Sequence, residues 1–322
     1  MHSPEQLLSF YEQKFSSSNF NESPSGLYDP VKHIMNIKGK RIRPLLLMMS
    51  ADLFGGNVQQ ALNPAFAMEV FHNFTLVHDD IMDNADIRRG IPTVHKLYGI
   101  NTGILAGDVM LAYAYKYLTD IPLQAIPEVL RIFNKTAIEI FEGQQMDMDF
   151  EKREDVSEPE YLKMIEYKTS VLLACSLQLG AVLAGANEAN QQKIYAFGVN
   201  LGLAFQIKDD YLDAFGEGNK VGKRIGGDIL QNKKTYLLIT ALHKAKGAQR
   251  DELHALLQNK NEEEKIAGVK NLFNVLGVKA DTEKRMDELY AAAIESLQSV
   301  DVKEEQKELL LKLALAVHTR DF

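Results

Sequence analysis

The sequence has a single cysteine and lacks any long apolar run. Cys175 has no second cysteine with which to form a disulfide, and its apolar neighbours at 171–174 predict a packed thiol rather than a reactive one. No stretch reaches the roughly 18 uninterrupted apolar residues that suggest a membrane-spanning helix. Residues 1–15 lack the charged and apolar segments of a secretory signal. These absences predict a cytoplasmic protein without stable membrane insertion.

Basic residues are in the minority, because 36 Lys and Arg stand against 44 Asp and Glu, for a net charge of −8. A net negative charge repels both nucleic-acid backbones and anionic membranes. We therefore expect no nucleic-acid partner, and any anion site must be a local cluster of basic side chains. With 46% hydrophobic and 25% charged residues, the composition is that of a globular protein with ample apolar residues for a core.

Strand patterns are scarce, whereas apolar residues at helical spacing dominate the chain. The sequence therefore predicts an all-α fold. Long helices that are apolar around much of their circumference indicate enclosure by other helices, and no segment has the composition of a flexible linker. We expect one domain over residues 1–322, a single large helical bundle. Its helices are expected at residues 4–17, 41–54, 60–84, 101–119, 123–151, 158–185, 188–214, 233–245, 249–258, 262–276, 280–299 and 303–316.

One acidic motif occurs twice, 130 positions apart, and each copy follows an apolar helical pattern. Residues at i, i+1 and i+4 place three carboxylates on one helical face, where like charges cost about 0.2–0.5 kcal/mol per pair. Carboxylate oxygens suit Mg²⁺, which fills its remaining positions with water and phosphate oxygens. A solvated acidic helix end would explain one copy, but two copies predict metal sites for a diphosphate substrate. The carboxylates are those of Asp79, Asp80 and Asp83, and of Asp209, Asp210 and Asp213.

Basic side chains accompany both acidic motifs, although each alone would be read as a surface charge. Lys40 and Arg43, spaced i and i+3, lie where an apolar helix begins, and backbone N–H groups at such a position favour anions. Arg88 and Arg89 follow the first motif closely, and guanidinium groups bind phosphate oxygens in pairs. Together these residues predict phosphate binding. Three lysines complete the set: Lys168, Lys223 and Lys233.

Six segments in a fixed order resemble the trans-isoprenyl diphosphate synthases, also called polyprenyl synthetases. The resemblance spans roughly residues 36–240 and implies an isoprenoid synthase fold, all-α around a deep central cavity, usually as a homodimer. It implies an enzyme that condenses isopentenyl diphosphate with an allylic diphosphate and releases diphosphate. The segments are GKRIRP (39–44), FHNFTLVHDDIMDNADIRRG (71–90), GQQMD (143–147), KT (168–169), FQIKDDYLD (205–213) and GKRIGGDILQNKKT (222–235).

The resemblance also implies roles for individual residues. Three Mg²⁺ ions on the allylic diphosphate would be held by Asp79, Asp80, Asp83, Asp209, Asp210 and Asp213. That same diphosphate would contact Arg88, Lys168, Lys223 and Lys233. Isopentenyl diphosphate would bind Lys40, Arg43, His72 and Arg89. The oxygens of Thr169 and Gln206 would face the nascent carbocation. The chain departs from the family where Asn232 replaces the usual Gly and Gly227 a more variable residue, which puts the Lys233 contact in doubt.

Product length is expected to depend on the residues before the first acidic motif. Phe74 lies five positions before Asp79, Phe71 lies one turn further away, and Thr75 is small. An aromatic residue at the fifth position alone resembles enzymes that form geranylgeranyl diphosphate, so we expect a C20 product, with C15 or longer products as alternatives. A class I terpene cyclase would not need an isopentenyl diphosphate site. A silent regulatory subunit would be expected to lose acidic or basic motif residues, and none is missing.

Overall fold

The computed structural model describes residues 2–216 and 225–319. Within these ranges the chain is helical apart from one short hairpin and its loops, which confirms the predicted all-α fold. Its contacts divide it into two compact units. Unit 1 consists of Met1–Asn134 and Cys175–Gln192, and unit 2 of Lys135–Ala174 and Lys193–Phe322. One domain over residues 1–322 remains a prediction.

Unit 1 is organised around a long central helix, α4, which packs against α3 and α6. Helix α4 begins at the cap residue Asn57, whose side chain accepts a hydrogen bond from the Gln59 N–H, and most of its residues are buried. Part of α9 packs closely on α3, because a Cβ added at Gly180 would lie 2.2 Å from the Leu47 carbonyl oxygen. The helices are α1 (Pro4–Lys14), α2 (Ser25–Asn36), α3 (Ile42–Leu53), α4 (Val58–Met82), α5 (Val94–Tyr98) and α6 (Ile100–Leu118), with 3₁₀ turns at Ser17–Phe20 and Leu123–Ala125.

Three helices contribute residues to both units: α7 (Ile126–Glu151), α9 (Val171–Leu183) and α10 (Glu188–Phe215). Unit 2 also contains α8 (Glu158–Ile165), which begins with a capping box between Ser157 and Glu160. A π-helical turn, Glu166–Ser170, joins α8 to α9. The remaining helices are α11 (Gly227–Leu230), α12 (Tyr236–Lys244), α13 (Ala248–Leu257), α14 (Glu262–Val275), α15 (Val278–Gln298) and α16 (Glu304–His318).

The structure differs from the sequence prediction in several places, and it contains two short helices, α5 and α11, that were not predicted. Residues 18–40 contain no predicted helix, yet α2 forms there with Pro30 inside it, since Tyr28, Val31, Ile34 and Met35 bury one face. Two short strands, β1 (Ile87–Arg88) and β2 (Ile91–Pro92), form an antiparallel hairpin that was not predicted. The helix expected at 158–185 is interrupted by the π turn.

None of the helices in the described ranges has the length and hydrophobicity needed to cross a membrane.

Candidate active site

The first acidic motif occupies the last turn of α4 and its cap. Asp80 is 1% exposed, and both of its carboxylate oxygens accept hydrogen bonds from Arg88, with Nε–Oδ distances of 3.0 and 2.9 Å and an Nη2–Oδ1 distance of 2.8 Å. Asp79 and Asp83 are more exposed, one turn apart on the same helix. In the folded chain, the Asp80 carboxylate therefore orients the Arg88 guanidinium group. A metal role for Asp80 remains a prediction.

The hairpin fixes the two arginines that follow this motif. Arg89 and Gly90 have φ values of 51° and 78°, the positive values that a type I′ turn requires at both central positions. Arg89 Nη1 donates to the Lys38 carbonyl oxygen at 2.9 Å. A Cβ added at Gly39 would lie 2.6 Å from the same Nη1 atom. The glycine of GKRIRP therefore leaves the space in which Arg89 contacts the loop before α3.

A basic cluster lies beside a buried carboxylate in unit 1. Desolvation lowers the pKa of Arg43 to about 10, and Glu69 opposes that shift. Desolvation, together with Arg43, Arg89 and other guanidinium groups, lowers the pKa of His72 well below its usual value, so His72 is neutral at pH 7. Arg43 Nε is buried without a hydrogen-bond partner. Such an arrangement suits an anion, which would supply the missing acceptor.

Sequence reasoning missed two members of this cluster, Glu69 and Arg41. Glu69 is 4% exposed and forms an ion pair with Arg41, whose Nη2 also donates to the Met35 carbonyl oxygen at 3.0 Å. Asn73 Nδ2 donates to the Glu69 carbonyl oxygen at 2.8 Å. The sequence could have indicated a special role for Glu69, because it is the only acidic residue between 58 and 78. The remaining predicted residue of this group, Lys40, is exposed in the loop before α3.

The second acidic motif lies near the C-terminal end of α10 in unit 2. Asp210 is 5% exposed. Its Oδ2 accepts a hydrogen bond from the Tyr161 hydroxyl, and its Oδ1 accepts one from Gln206 Nε2 at 3.1 Å. Burial and the nearby Asp228 carboxylate raise the pKa of Asp210 to about 7, while Lys233 opposes the shift. A cation bound at this motif would favour the ionised form of Asp210, because the buried carboxylate is poorly solvated by water.

Asp213 is fixed by the chain that follows the second motif. The Asp228 backbone N–H donates to Asp213 Oδ2 at 3.0 Å, and the Gly226 N–H donates to the Asp213 carbonyl oxygen at 2.7 Å. Asp209 and Asp213 are both half-buried. Lys223, predicted to contact diphosphate, lies outside the described residues.

Lys168 and Thr169 lie in the π turn, a distortion often found at functional sites. Lys168 Nζ forms an ion pair with Asp147 at 2.6 Å. A Cβ added at Gly143 would lie 2.5 Å from the Lys168 backbone nitrogen, so only glycine allows α7 to approach the turn this closely. The GQQMD segment thus contributes both a contact surface for the turn and the carboxylate that holds its lysine.

One cavity in unit 2 brings several predicted residues together. Thr169 Oγ1 donates to Gln206 Oε1 at 3.2 Å. Asn232, the departure from the family's glycine, has a φ of 54°, a left-handed conformation that asparagine tolerates better than most residues. Lys233 lines the cavity nonetheless. The cavity is lined by Lys168, Thr169, Gln206, Asp210 and Lys233, together with Asp147, Tyr161, Met164, Ile165, Lys234 and Thr235.

The predicted length-determining residues belong to an aromatic cluster of unit 1. Phe71 is fully buried and Phe74 is 4% exposed. The Phe71 ring lies 5.4 Å from that of Phe74 and 4.9 Å from that of Phe133, measured between centroids. Phe74 also contacts the His78 ring at 4.8 Å. Thr75 donates its hydroxyl hydrogen to the His72 carbonyl oxygen at 2.8 Å, so it adds no bulk beyond its own turn.

The aspartates of the two motifs fit Mg²⁺ better than a metal ion whose ligands are all protein side chains. Across residues 2–216 and 225–319, no group of three or more His, Cys, Asp or Glu side chains forms a ready-made metal cage. Mg²⁺ is usually bound through one or two carboxylates plus substrate phosphates and water. Pairs of aspartates at the ends of α4 and α10 match that requirement.

Comparison with known proteins agrees with these observations. Residues 24–276 match the family model described as polyprenyl synthetase. A geranylgeranyl pyrophosphate synthase of Geoglobus acetivorans is 39% identical over 303 residues, 93% of this chain and 92% of the relative. A geranylgeranyl diphosphate synthase of Sulfolobus acidocaldarius is 45% identical over 239 residues, 73% of this chain and 72% of the relative. A crystal structure of a geranylgeranyl pyrophosphate synthase superimposes with a TM-score of 0.95 at 43% identity, covering 100% of both chains. The chain belongs to the polyprenyl synthetase family, and it is a prenyltransferase of the isoprenyl diphosphate synthase type.

Proposed function

We propose that this protein condenses isopentenyl diphosphate with allylic diphosphates in trans and that its main product is the C20 compound, geranylgeranyl diphosphate. The observation that carries the C20 assignment is Phe74, buried five residues before Asp79 in an aromatic cluster. The names of the relatives from Geoglobus acetivorans and Sulfolobus acidocaldarius support the same product.

The leaving diphosphate requires the largest share of the charge stabilisation. Six aspartates would hold Mg²⁺, with the predicted total of three ions when substrate is bound: Asp79, Asp80, Asp83, Asp209, Asp210 and Asp213. Bound Mg²⁺ would neutralise the charge that develops on the leaving diphosphate. Two positively charged side chains would help to neutralise the same negative charge. They are Arg88, oriented by Asp80, and Lys168, oriented by Asp147.

The second substrate needs an anion site without metal. In the proposed function Arg43, Arg89 and neutral His72 bind the diphosphate of isopentenyl diphosphate, with Lys40 at the exposed edge. Anchoring both diphosphates converts the meeting of the allylic cation and the double bond into an intramolecular step. Thr169 and Gln206 present oxygens to the cavity in unit 2, where they would face the cation.

The proposed enzyme acts as a homodimer. A face formed by α5 and the start of α6 exposes several large apolar side chains, which a monomer rarely presents together. A second copy of the chain would cover such a face. These side chains are Leu97, Tyr98, Ile100, Ile104 and Leu105.

Product analysis tests the proposed function directly. The protein would be incubated with Mg²⁺, labelled isopentenyl diphosphate and each of the C5, C10 and C15 allylic primers, and the dephosphorylated products would be separated by chromatography. A C20 product from every accepted primer is the expected result. A C15 or longer end product would overturn the product assignment, whereas no condensation with any primer would overturn the reaction itself.

Arg43→Ala is expected to raise the KM for isopentenyl diphosphate by about 10–100-fold, the equivalent of one charge-assisted hydrogen bond of about 1.5–3 kcal/mol. The KM for the allylic primer should change much less, because Arg43 is assigned to the metal-free site. Initial rates measured while each substrate is varied separately would give the change in each of the two KM values. Lys38→Ala, an exposed lysine in the same loop, is the matched control. Equal changes in both KM values would contradict the assignment of two separate anion sites.

A further inference from the structure

Tyr161 lies in the wall of the unit 2 cavity, although no motif drew attention to it. The side chain projects from α8, is 1% exposed and donates its hydroxyl hydrogen to Asp210 Oδ2. It also belongs to an apolar core cluster with Met164, Ile165 and Ile207. A fully buried tyrosine needs a partner for its hydroxyl, and here that partner is a carboxylate of the second acidic motif.

The direction of this hydrogen bond is determined by its surroundings. The first backbone N–H of α12, that of Tyr236, favours the ionised form of the Tyr161 hydroxyl and so opposes the rise of its pKa. Such an N–H has no partner within its own helix. Burial and the Asp210 carboxylate hold the pKa of Tyr161 well above its usual value, so the hydroxyl keeps its proton and donates it to Asp210 Oδ2. Tyr161 therefore packs near the first residue of α12, with its ring centroid 6.3 Å from that of Tyr236, and holds the Asp210 carboxylate from one side.

The hydrogen bonds of Asp210 continue through Gln206 to Thr169 in the cavity. Gln206 Nε2 donates to Asp210 Oδ1 at 3.1 Å, which leaves the amide oxygen of the same side chain to accept from Thr169 Oγ1 at 3.2 Å. Rotation of the Gln206 amide by half a turn would replace that oxygen with an NH₂ group and would place a nitrogen against the Thr169 hydroxyl. The orientation of the Gln206 and Thr169 oxygens therefore depends on a correctly held Asp210.

We propose that Tyr161 is a positioning residue of the condensation reaction, acting through Asp210 to keep the oxygens of Gln206 and Thr169 directed at the cavity. This inference rests on the proposed function, which assigns those oxygens to the allylic cation. Partners that orient functional groups from behind typically contribute about 10–100-fold to activity. Tyr161 occupies that position relative to Asp210 and Gln206.

Tyr161→Phe tests the inference, because it removes the hydroxyl and keeps the ring. We expect kcat for condensation to fall by about 10–100-fold. The KM for isopentenyl diphosphate and the affinity for the C15 primer, measured by calorimetry with Mg²⁺ but without isopentenyl diphosphate, should stay near the wild-type values. Tyr236→Phe is the matched control, since it removes a neighbouring buried hydroxyl and leaves the Tyr236 N–H in place. That control should retain wild-type kcat.

A double-mutant cycle separates positioning from general packing. If Tyr161 acts through Asp210, Tyr161→Phe should cost little further activity in an Asp210→Asn background, because coupled residues do not give additive effects. Should Tyr161→Phe fail to fold, the pair Asp210→Asn and Gln206→Ala tests the same chain of hydrogen bonds. Non-additive losses are expected for that pair, and additive losses would overturn the inference.

Two further outcomes would also overturn the positioning role of Tyr161. One is a kcat for Tyr161→Phe equal to that of Tyr236→Phe, which would leave the hydroxyl with a packing role only. The other is a loss of primer affinity large enough to account for the lower activity, since the oxygens of Gln206 and Thr169 face the hydrocarbon rather than the diphosphate. If the wild-type protein forms no prenyl product, the proposed function fails; if wild type and Tyr161→Phe are equally active, only this inference fails.

Discussion

Asp79→Asn and Asp209→Asn are each expected to lower kcat by a factor of about 10²–10³, the usual cost of losing one group that stabilises charge in a transition state. Each substitution removes one charge from a proposed Mg²⁺ ligand while preserving the shape of the side chain. Folding should survive, because Asp79 and Asp209 are not among the fully buried aspartates. Steady-state turnover with saturating primer and isopentenyl diphosphate would measure the effect.

Matched controls are available for both aspartates. Asp86, 74% exposed beside the first motif, and Asp287, 70% exposed on α15, carry the same charge at the surface. Asp86→Asn and Asp287→Asn should retain wild-type turnover. If the acidic motifs were only solvated helix ends, Asp79→Asn and Asp209→Asn would keep full activity and gain roughly 0.2–0.5 kcal/mol of stability per relieved repulsion. That pair of results would refute the metal assignment.

Phe74→Ala is expected to move the main product from C20 to longer chains. Removal of the ring opens space next to Phe71 and His78, where the growing chain would otherwise stop. The diphosphate-binding residues are unchanged, so condensation should continue. The chain-length distribution of the dephosphorylated products, measured with the C15 primer, would give the result.

Stability distinguishes a length-determining residue from an ordinary core residue. Truncation of a buried phenylalanine costs about 3–5 kcal/mol when the ring serves only packing. Phe71→Ala is the internal comparison, since Phe71 is fully buried against Phe133 and Phe74. We expect Phe71→Ala to lose more stability and to change the product less. A longer product from Phe71→Ala with an unchanged profile for Phe74→Ala would make Phe71 the length-determining residue.

The helices that carry the motifs were predictable, because long apolar patterns and caps are local properties of the sequence. Helices α4 and α10 begin and end within two residues of their predicted limits. Helix α2 was missed because Pro30 and the preceding Ser23–Gly26 segment are local signs of a loop, whereas burial of one helix face prevailed. The hairpin at 87–92 was missed because strands of two residues carry no periodicity.

The missed parts of the candidate site depend on contacts between distant residues. The π turn at Lys168 requires close approach by Gly143, 25 positions earlier in the chain. Tyr161 lies 49 positions from Asp210, and Asp147 lies 21 positions from Lys168. Motifs and spacing indicate which residues can bind Mg²⁺ or phosphate. They do not indicate which buried side chains hold those residues in place.

In the proposed function, the two aspartate motifs support a Mg²⁺-dependent condensation that yields a C20 diphosphate. Its most direct test is the formation of C20 product from labelled isopentenyl diphosphate and the C15 primer, measured before chelation, after removal of divalent cations, and after Mg²⁺ is restored. The proposed function predicts C20 product with Mg²⁺, loss of product on chelation and recovery on addition of Mg²⁺. Product formation that is unaffected by chelation, or no C20 product with Mg²⁺ present, would contradict it.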